Sequence, residues 1–596
     1  MFITVLSALY ALSLSGQASA ATDESVALST VTSRQWAQFN ETVGGKLYTA
    51  IPFSAPCFSV VNGVNVTVDA AACQAVQAAY TSPSLRVENF GAYMLPQWET
   101  CQAKSQKCLL DGTNTSDPLA WGNVACQQGS ISPYYVSSLS LRAFDLVLKS
   151  VGKVDVRSAD DVKAVYGFAA KTGIPIAVKN SGHDYKGRSS IQGTLGLWVH
   201  NIDTLTHTPE FTPENCSSTY DVITAGAGVG FQTIYEFADS ENITSLAGTI
   251  KLSLQAVCAK SQGGGHSILT PVYGLGVDRV VQFKVVTPDG KYRVANECQN
   301  QDLFWALRGG GGGTFGVVLE TSSRVEPKFS LIAASIKFTQ TSTNAAPWLK
   351  LVVNKTLQWG EEGWGGHIGA VNLINVTPLL NLTQAQDSLK EVSDYALSQN
   401  GTVVIEELPS WYAFFSKYVP AAQSAVGTEN ILGTRLIPTS LFETESGQEA
   451  LYNALVNMLP TANPYIVVGT PYLYNGSSSS TSVTPAWYDS IWHLGFHETW
   501  QFNTNLSDIK SKYTSVFNIT QTFRDITPGS GAYFTHSGVP TTTDYSPLNR
   551  NMTPYISLTA GNALALVGRA TRCSHATPIY EAMRMPHQLN AASIMF

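Results

Sequence analysis

Residues 179–190, Lys-Asn-Ser-Gly-His-Asp-Tyr-Lys-Gly-Arg-Ser-Ser, are the stretch of this chain best equipped for chemistry. They follow a short apolar run over 174–178 that reads as a strand delivering the backbone into a tight loop. Gly182 and Gly187 let such a loop approach a ligand closely. Successive backbone N–H groups can then face an anion such as a diphosphate. His183 sits in the middle of the loop, and Arg188 either buttresses it or meets a phosphate. Further along come Gln262-Gly-Gly-Gly-His266 and Tyr273-Gly-Leu-Gly-Val-Asp278. A five-glycine run at 309–313 lies between an apolar helix and an apolar strand, which favours a backbone pressed against a neighbour over a flexible linker.

The surrounding pattern supplies the elements that must hold these loops. Ser158-Ala-Asp-Asp161 reads as a capping-box-like helix start, with Val162, Val165, Phe168 and Ala169 at helical spacing and Gly173 at the C′ position. Strands are expected at 174–178, 195–199, 222–225, 280–286 and 291–295, the last two joined by the turn Pro288-Asp-Gly290. Helices are expected at 230–240 and at 302–308, the second capped by Asp302. No G-x-G-x-x-G opens a helix in the required context, so a Rossmann fingerprint is excluded. From about 330 the pattern changes to amphipathic helices such as 383–398 alternating with strands such as 402–405 and 465–468, and 477–482 reads as a Ser/Thr-rich surface loop.

With 596 residues the chain is too long for one ordinary core. The net charge of −7 and the lack of a Lys/Arg run give nucleic-acid binding no support. Residues 2–14 are almost wholly apolar and Ala18-Ser-Ala20 fits a signal-peptidase site, so 1–20 reads as a signal peptide and the protein as secreted, with no membrane span. Thirteen Asn-x-Ser/Thr sequons agree with that route, as do five of the nine cysteines falling before residue 130, where disulfides are expected. No Cys/His set stands at metal-ligand spacing.

Taken together, the loop around His183, Gly226-Ala-Gly-Val229, Gly263-Gly-Gly-His266, Tyr273-Gly-Leu-Gly-Val-Asp278 and the segment from Asp302 to Gly316 resemble the FAD-binding domain of berberine-bridge-enzyme-like oxidases, in the vanillyl-alcohol-oxidase superfamily. More loosely, the N-terminal cysteine-rich region and the second domain are similar to the secreted fungal branch. The resemblance implies an α+β, two-domain flavoprotein: a PCMH-type FAD-binding domain at 146–330, a cysteine-bearing cap at 21–145, a substrate domain at 331–525 with a mainly antiparallel sheet, and an atypical segment at 526–596. It also implies a covalent bond from His183 to the flavin. Cofactor-binding roles then fall to Lys179, Asn180, Ser181, Gly182, Asp184, Gly187, Arg188, Ser189, Gly248, Thr249, Gly263, Gly264, Gly265, His266, Gly274, Asp278 and Val280. His266 reads as packing beside the cofactor, and Asp278 has an alternative reading as a turn carboxylate. Where many relatives carry a second, cysteinyl tether this chain has Ile250, so a single histidyl link is expected.

Such an oxidase needs a group to take the substrate's proton as hydride leaves. Tyr533, Glu406 and Glu407 are the candidates, with Glu406 taken ahead of Glu407, and one of the two glutamates should face a cleft because both follow an apolar strand. The expected reaction is two-electron oxidation of an alcohol, a sugar or a secondary-metabolite intermediate by a monomer, with O2 as acceptor. After Tyr533 the chain departs from the family's closing pattern, so a dehydrogenase using another acceptor and a degenerate non-catalytic protein remain as alternatives.

Overall fold

The computed structural model describes residues 28, 30–101, 104–137, 158–246, 262–420 and 426–533. The signal-peptide segment, Gly248, Thr249, Ile250 and the tail after Tyr533 lie outside them. Three sheets organise the chain. The first holds β1 (Leu47–Thr49), β2 (Tyr134–Ser137), β3 (Ile176–Lys179) and β4 (Leu195–Trp198) in the order β1-β2-β4-β3. β4 runs parallel to both neighbours, whereas β1 and β2 are antiparallel. The second holds β5 (Leu205–Phe211), β6 (Tyr220–Gly226), β7 (Val280–Val286), β8 (Tyr292–Asn296) and β9 (Val317–Arg324), all antiparallel, in the order β8-β7-β9-β6-β5.

Local signals explain most of these elements. Helix α1 (Ala159–Thr172) stops at Gly173, whose φ of 74° is the left-handed conformation that glycine adopts without a Cβ clash. Its start differs from the expected capping box. The Ser158 hydroxyl does not cap the helix, and Asp161 instead accepts from Lys46 Nζ at 2.9 Å. Helix α2 (Phe231–Ser240) follows β6. The β7–β8 hairpin turns through Gly290 at φ 74°, with the Asp289 carboxylate clamped by Arg293. Helix α3 (Gln301–Leu307) begins one residue earlier than expected. Asn300 takes the N-cap position with φ 48° and donates through its side chain to the Val294 carbonyl at 2.7 Å, so Asp302 falls in the first turn.

The third sheet carries β10 (Leu331–Lys337), β11 (Gly365–Ile368), β12 (Asn372–Thr377), β13 (Thr402–Leu408), β14 (Glu429–Pro438), β15 (Tyr465–Val468) and β16 (Ser490–Trp500). Its order is β13-β10-β12-β11-β15-β16-β14 and every pairing is antiparallel. Alternation along each strand gives the sheet two unlike faces. Ile336, Ile368, Leu373, Ile466 and Leu494 pack under α4 (Ala345–Glu361), α8 (Glu445–Met458) and α9 (Leu506–Ile526), burying Trp348, Leu455 and Phe523. Truncating one such aromatic to Ala would cost about 3–5 kcal/mol. The helix expected over 383–398 is two, α5 (Leu382–Ser388) and α6 (Lys390–Ser398), because the chain bends at Leu389 to sink that side chain fully into the core. Helix α7 (Trp411–Tyr418) packs Trp411 and Phe415 against Tyr235 of α2.

The N-terminal part is held by Cys57–Cys73 and Cys108–Cys126, and all five early cysteines are disulfide-bonded. At its centre the fully buried Arg86 guanidinium bonds to Glu99, to the Tyr93 carbonyl at 2.7 Å and to the Tyr80 carbonyl at 2.9 Å. No helix among the described residues is long and apolar enough to cross a membrane.

Candidate functional site

β3 ends at Lys179 and the chain enters the loop that the sequence singled out. Lys179 is fully buried, and its ammonium donates to the carbonyls of Asn89 at 2.8 Å, Phe90 at 2.7 Å and Ala92 at 2.6 Å. Its charge is thus spent on fixing the neighbouring segment, and burial pushes its pKa well down. Asn180 donates to the Ala227 carbonyl, which joins the loop to the Gly226–Val229 turn after β6. Tyr93 closes the other side, donating its hydroxyl to the Ser189 carbonyl at 2.8 Å, while Met94 N–H donates to the Gly182 carbonyl at 3.2 Å.

Inside the loop Asp184 accepts from the Arg188 backbone N–H at 2.7 Å and from its guanidinium at 3.0 and 2.7 Å. Burial works against the Asp184 charge, yet Arg188 holds its carboxyl below the usual range. Of the two readings for Arg188, buttressing the loop is the one these bonds describe. Gly187, at φ 66°, has no room for a side chain: a Cβ there would lie 2.3 Å from Cε3 of Trp98. These contacts leave His183 buried in a loop fixed at both ends.

The glycine segments converge ahead of β7 and β9 of the second sheet. Gly276 and Val277 N–H donate to the carbonyls of Gly265 and Gly264, and Gly309 and Gly311 N–H both donate to that of Gln262. The five-glycine run is indeed pressed on a neighbour: a Cβ on Gly309 would lie 2.5 Å from the Val483 nitrogen. Ser482 N–H donates to the Arg308 carbonyl at 2.9 Å. Thr481 and Ser482 are therefore buried, and only the earlier part of the expected surface loop is exposed. Gly274, at φ 85°, faces the Tyr474 ring. Asp278 accepts from the Leu275 N–H at 2.8 Å and from the Tyr488 hydroxyl at 2.7 Å, and burial raises its pKa against those bonds, so it behaves as a turn carboxylate. Val280 belongs to the apolar core with Val136 and Phe283.

Beyond the glycines lies an aromatic and imidazole cluster. The His266 ring is 4.8 Å from Tyr533, 5.1 Å from His493 and 5.8 Å from Trp487, centre to centre. Tyr533 is brought there because Leu436 N–H on β14 donates to the Gly531 carbonyl at 2.8 Å and Ser530 donates to the Leu436 carbonyl at 2.7 Å. Strand register carries the cluster onto the third sheet. His493 on β16 pairs with Val467 on β15, which pairs with His367 on β11. Tyr465, two residues before Val467, shares their face and bonds through its hydroxyl to His367 Nδ1 at 2.5 Å. The Tyr465 phenol also feels that of Tyr185 from the His183 loop. His367, Tyr465, His493 and Trp487 are additions that the sequence reading did not contain; the alternation Tyr465, Val467 and the Gly-Gly-His of β11 were the available signals.

Glu406 is not part of this assembly, which corrects the expectation that it faces a cleft. It lies on β13, an edge strand five pairings from β16, or roughly 24 Å at the usual strand spacing. There it accepts from Lys417 Nζ at 2.7 Å and from the Tyr418 hydroxyl, and the Lys417 bond lowers its pKa. Glu406→Gln is expected to leave kcat/KM within about twofold and to cost no more than about 1 kcal/mol in denaturant unfolding. A loss of about a hundredfold in kcat/KM would return Glu406 to the chemistry.

Two groups of buried donors test whether a flavin dinucleotide fits. The backbone N–H groups of Ser181 and Gly182, and of Gly263, Gly264 and Gly265, meet no acceptor among the described residues, and all five residues are buried. Buried N–H groups without partners are costly, and runs of them at positive-φ glycines form anion-binding nests. The diphosphate and the polar ring edge of FAD would supply the missing acceptors.

Comparison with known proteins agrees. The family model described as an FAD binding domain matches residues 152–296. An FAD-linked oxidoreductase of Aspergillus flavipes is 38% identical, covering 84% of this chain and 85% of its own length. One from Pyricularia oryzae is 35% identical over 84% of each chain. The crystal structure of a VAO-type flavoprotein from Myceliophthora thermophila superposes with a TM-score of 0.72 at 24% identity, covering 91% of this chain and 92% of that one.

Proposed function

The chain belongs to the FAD-linked oxidoreductases of the vanillyl-alcohol-oxidase superfamily, and from that premise we propose that it is a secreted oxidase holding FAD through a bond to His183 and oxidising a small hydroxyl-bearing molecule at the expense of O2. The observations that support this reading are buried His183 in a loop pinned by Lys179, Asn180 and Asp184, and two sets of buried N–H groups that meet no acceptor among the described residues. The N–H groups of Ser181, Gly182 and Gly263–Gly265 would hold the cofactor, and His183 would anchor it. When bound, FAD would accept the substrate's hydride and, with it, both electrons. This chain's own residues orient the substrate and handle its proton. Trp487, Tyr533 and Val467 give an apolar wall, while His266 and His493 supply ring nitrogens for hydroxyl groups. Export is supported by the apolar leader, the sequons and the disulfides.

The test is an anaerobic screen. Purified yellow protein is mixed with alcohols, sugars and phenolic metabolites, and loss of the flavin band is followed before air is admitted. Bleaching followed by fast recovery in air with stoichiometric H2O2 is the expected result. Recovery only with an added quinone or dye would replace the oxidase reading by a dehydrogenase.

A further inference from the structure

The N-terminal part of the chain covers one edge of the third sheet. β14 is an edge strand, and the Gln97 side chain bonds its Asn430 twice, donating to the carbonyl and accepting from the N–H at 3.3 Å. Gly427 N–H donates to the Met94 carbonyl at 3.2 Å, and Lys107 Nζ to the Phe502 carbonyl at 3.1 Å. The covering segment is the short 3-10 turn Pro96–Glu99 with the residues just before it. Its other side backs the His183 loop. The Trp98 ring fills the space beside Gly187, Ser190 donates through its hydroxyl to the Trp98 carbonyl, and Tyr93 donates to the Ser189 carbonyl at 2.8 Å. Residues 93–99 are thus clamped between β14 and the loop.

One group in this seam is out of keeping with its surroundings. Glu429, the first residue of β14, is 5% exposed, and the charge of Glu99, itself 1% exposed, reaches it across the seam. The cations nearby are committed elsewhere: Arg86 to Glu99 and to the carbonyls of Tyr80 and Tyr93, Lys107 to Phe502. Tyr80 adds only a buried phenol. On the sheet side the register partner of Glu429 is Trp500. Helix α9, packed on β14, brings Tyr513 onto Trp500 and a Lys512 already paired with Glu498 at 3.0 Å. Burial first, and then the Glu99 charge, push the Glu429 pKa up to about 8, against the pull of Lys107 and Arg86. Two ionised carboxylates in such a place repel with little water to screen them.

We propose that Glu429 is a proton-operated latch between the N-terminal part and the third sheet. Neutral, it lets residues 94–99 lie closed on β14. Ionised, it repels Glu99 and draws water into the seam, so the segment lifts and the Ser189 end of the His183 loop loses its backing. The sign follows from linkage. The closed state keeps the proton to higher pH than the open state, where Glu429 titrates in the ordinary carboxylate range, so each opening releases one proton. Closure is therefore firmest in acid, weakens by about tenfold per pH unit as the pH rises toward that of the closed carboxyl, and levels off above it.

The test is hydrogen exchange read by mass spectrometry on the flavin-loaded full chain, from about pH 5 to about pH 9, with rates corrected for intrinsic exchange. Peptides spanning 94–100 and 427–431 report the seam, and one spanning 184–190 reports the loop. In the wild-type protein the opening constant of all three is expected to rise by about tenfold per pH unit between about pH 6 and 8 and then level off. Glu429→Gln keeps the shape but cannot ionise, and should stay closed with a flat profile. Glu449→Gln removes an exposed carboxylate that pairs with Lys350, and should match wild type. Flavin absorbance reports that each protein is folded and loaded. A flat wild-type profile overturns the proposal without any variant. The same slope in Glu429→Gln also overturns it, by assigning the proton to another group. So does a 184–190 peptide that stays protected while 94–100 opens.

Discussion

His183→Ala is expected to part the flavin from the polypeptide. After denaturation in acid, the parent should keep yellow, fluorescent flavin on the protein band, and the variant should release all of it. Lys179 is committed to three carbonyls, and Asp184 and Arg188 to each other. The fold should survive, because Asn180, Tyr93 and Arg188 fix the loop. Activity should fall further than occupancy, because a tether on the ring generally makes a flavin a stronger oxidant. Each 30 mV lost costs about 1.4 kcal/mol, or one decade in the two-electron equilibrium. A fall of about 10- to 100-fold in kcat at full flavin loading is therefore expected. Flavin released equally from parent and variant would leave a non-covalent flavoprotein.

Arg86→Met should be the most damaging single change to stability. It strands Glu99, which is wholly buried with only the Tyr93 N–H, at 2.8 Å, and the more distant Lys179 ammonium left to balance it. Burial already raises the Glu99 pKa against the pull of Arg86, so the variant must either bury a bare carboxylate or protonate it. Removing one partner of such a pair costs about 3–5 kcal/mol. The damage should reach the flavin, because Arg86 also fixes the Tyr93 carbonyl, and Tyr93 holds the Ser189 end of the cofactor loop. Chemical unfolding of Arg86→Met together with Glu99→Gln should recover part of the loss, since the double variant leaves no unpaired charge. A single variant as stable as the parent would show that the pair is not needed.

What could be read beforehand follows from how far the information is spread along the chain. Gly173, Pro288-Asp-Gly290 and the loop around His183 carry their own geometry within a few residues, so a single sequence displays them. The hydrophobic run of β7 and that of β15 were legible for the same reason. The face of the third sheet that carries His367, Tyr465 and His493 was not. His367 and Tyr465 are 98 residues apart, and His493 joins them through register on a further strand. Nothing near any of the three announces the others. Glu406 failed for the complementary reason: alternation shows that a side chain alternates, but not whether its strand is central or at an edge, and β13 is an edge. Asp302 lost the cap because Asn300 reaches the β8 carbonyl of Val294, a contact outside a local window.

The two-sided character of the third sheet has a consequence for how this enzyme can diversify. Along β15, Ile466 and Val468 are locked under the helices while Tyr465 and Val467 look the other way. Neighbouring residues on one strand therefore answer to separate surroundings, one to the packed core and the next to the face that carries His367 and His493. A lineage could exchange Val467 or His493 for other side chains and alter that face without reopening the packing of Trp348, Leu455 and Phe523. Substrate range is then free to drift quickly on a scaffold that drifts slowly.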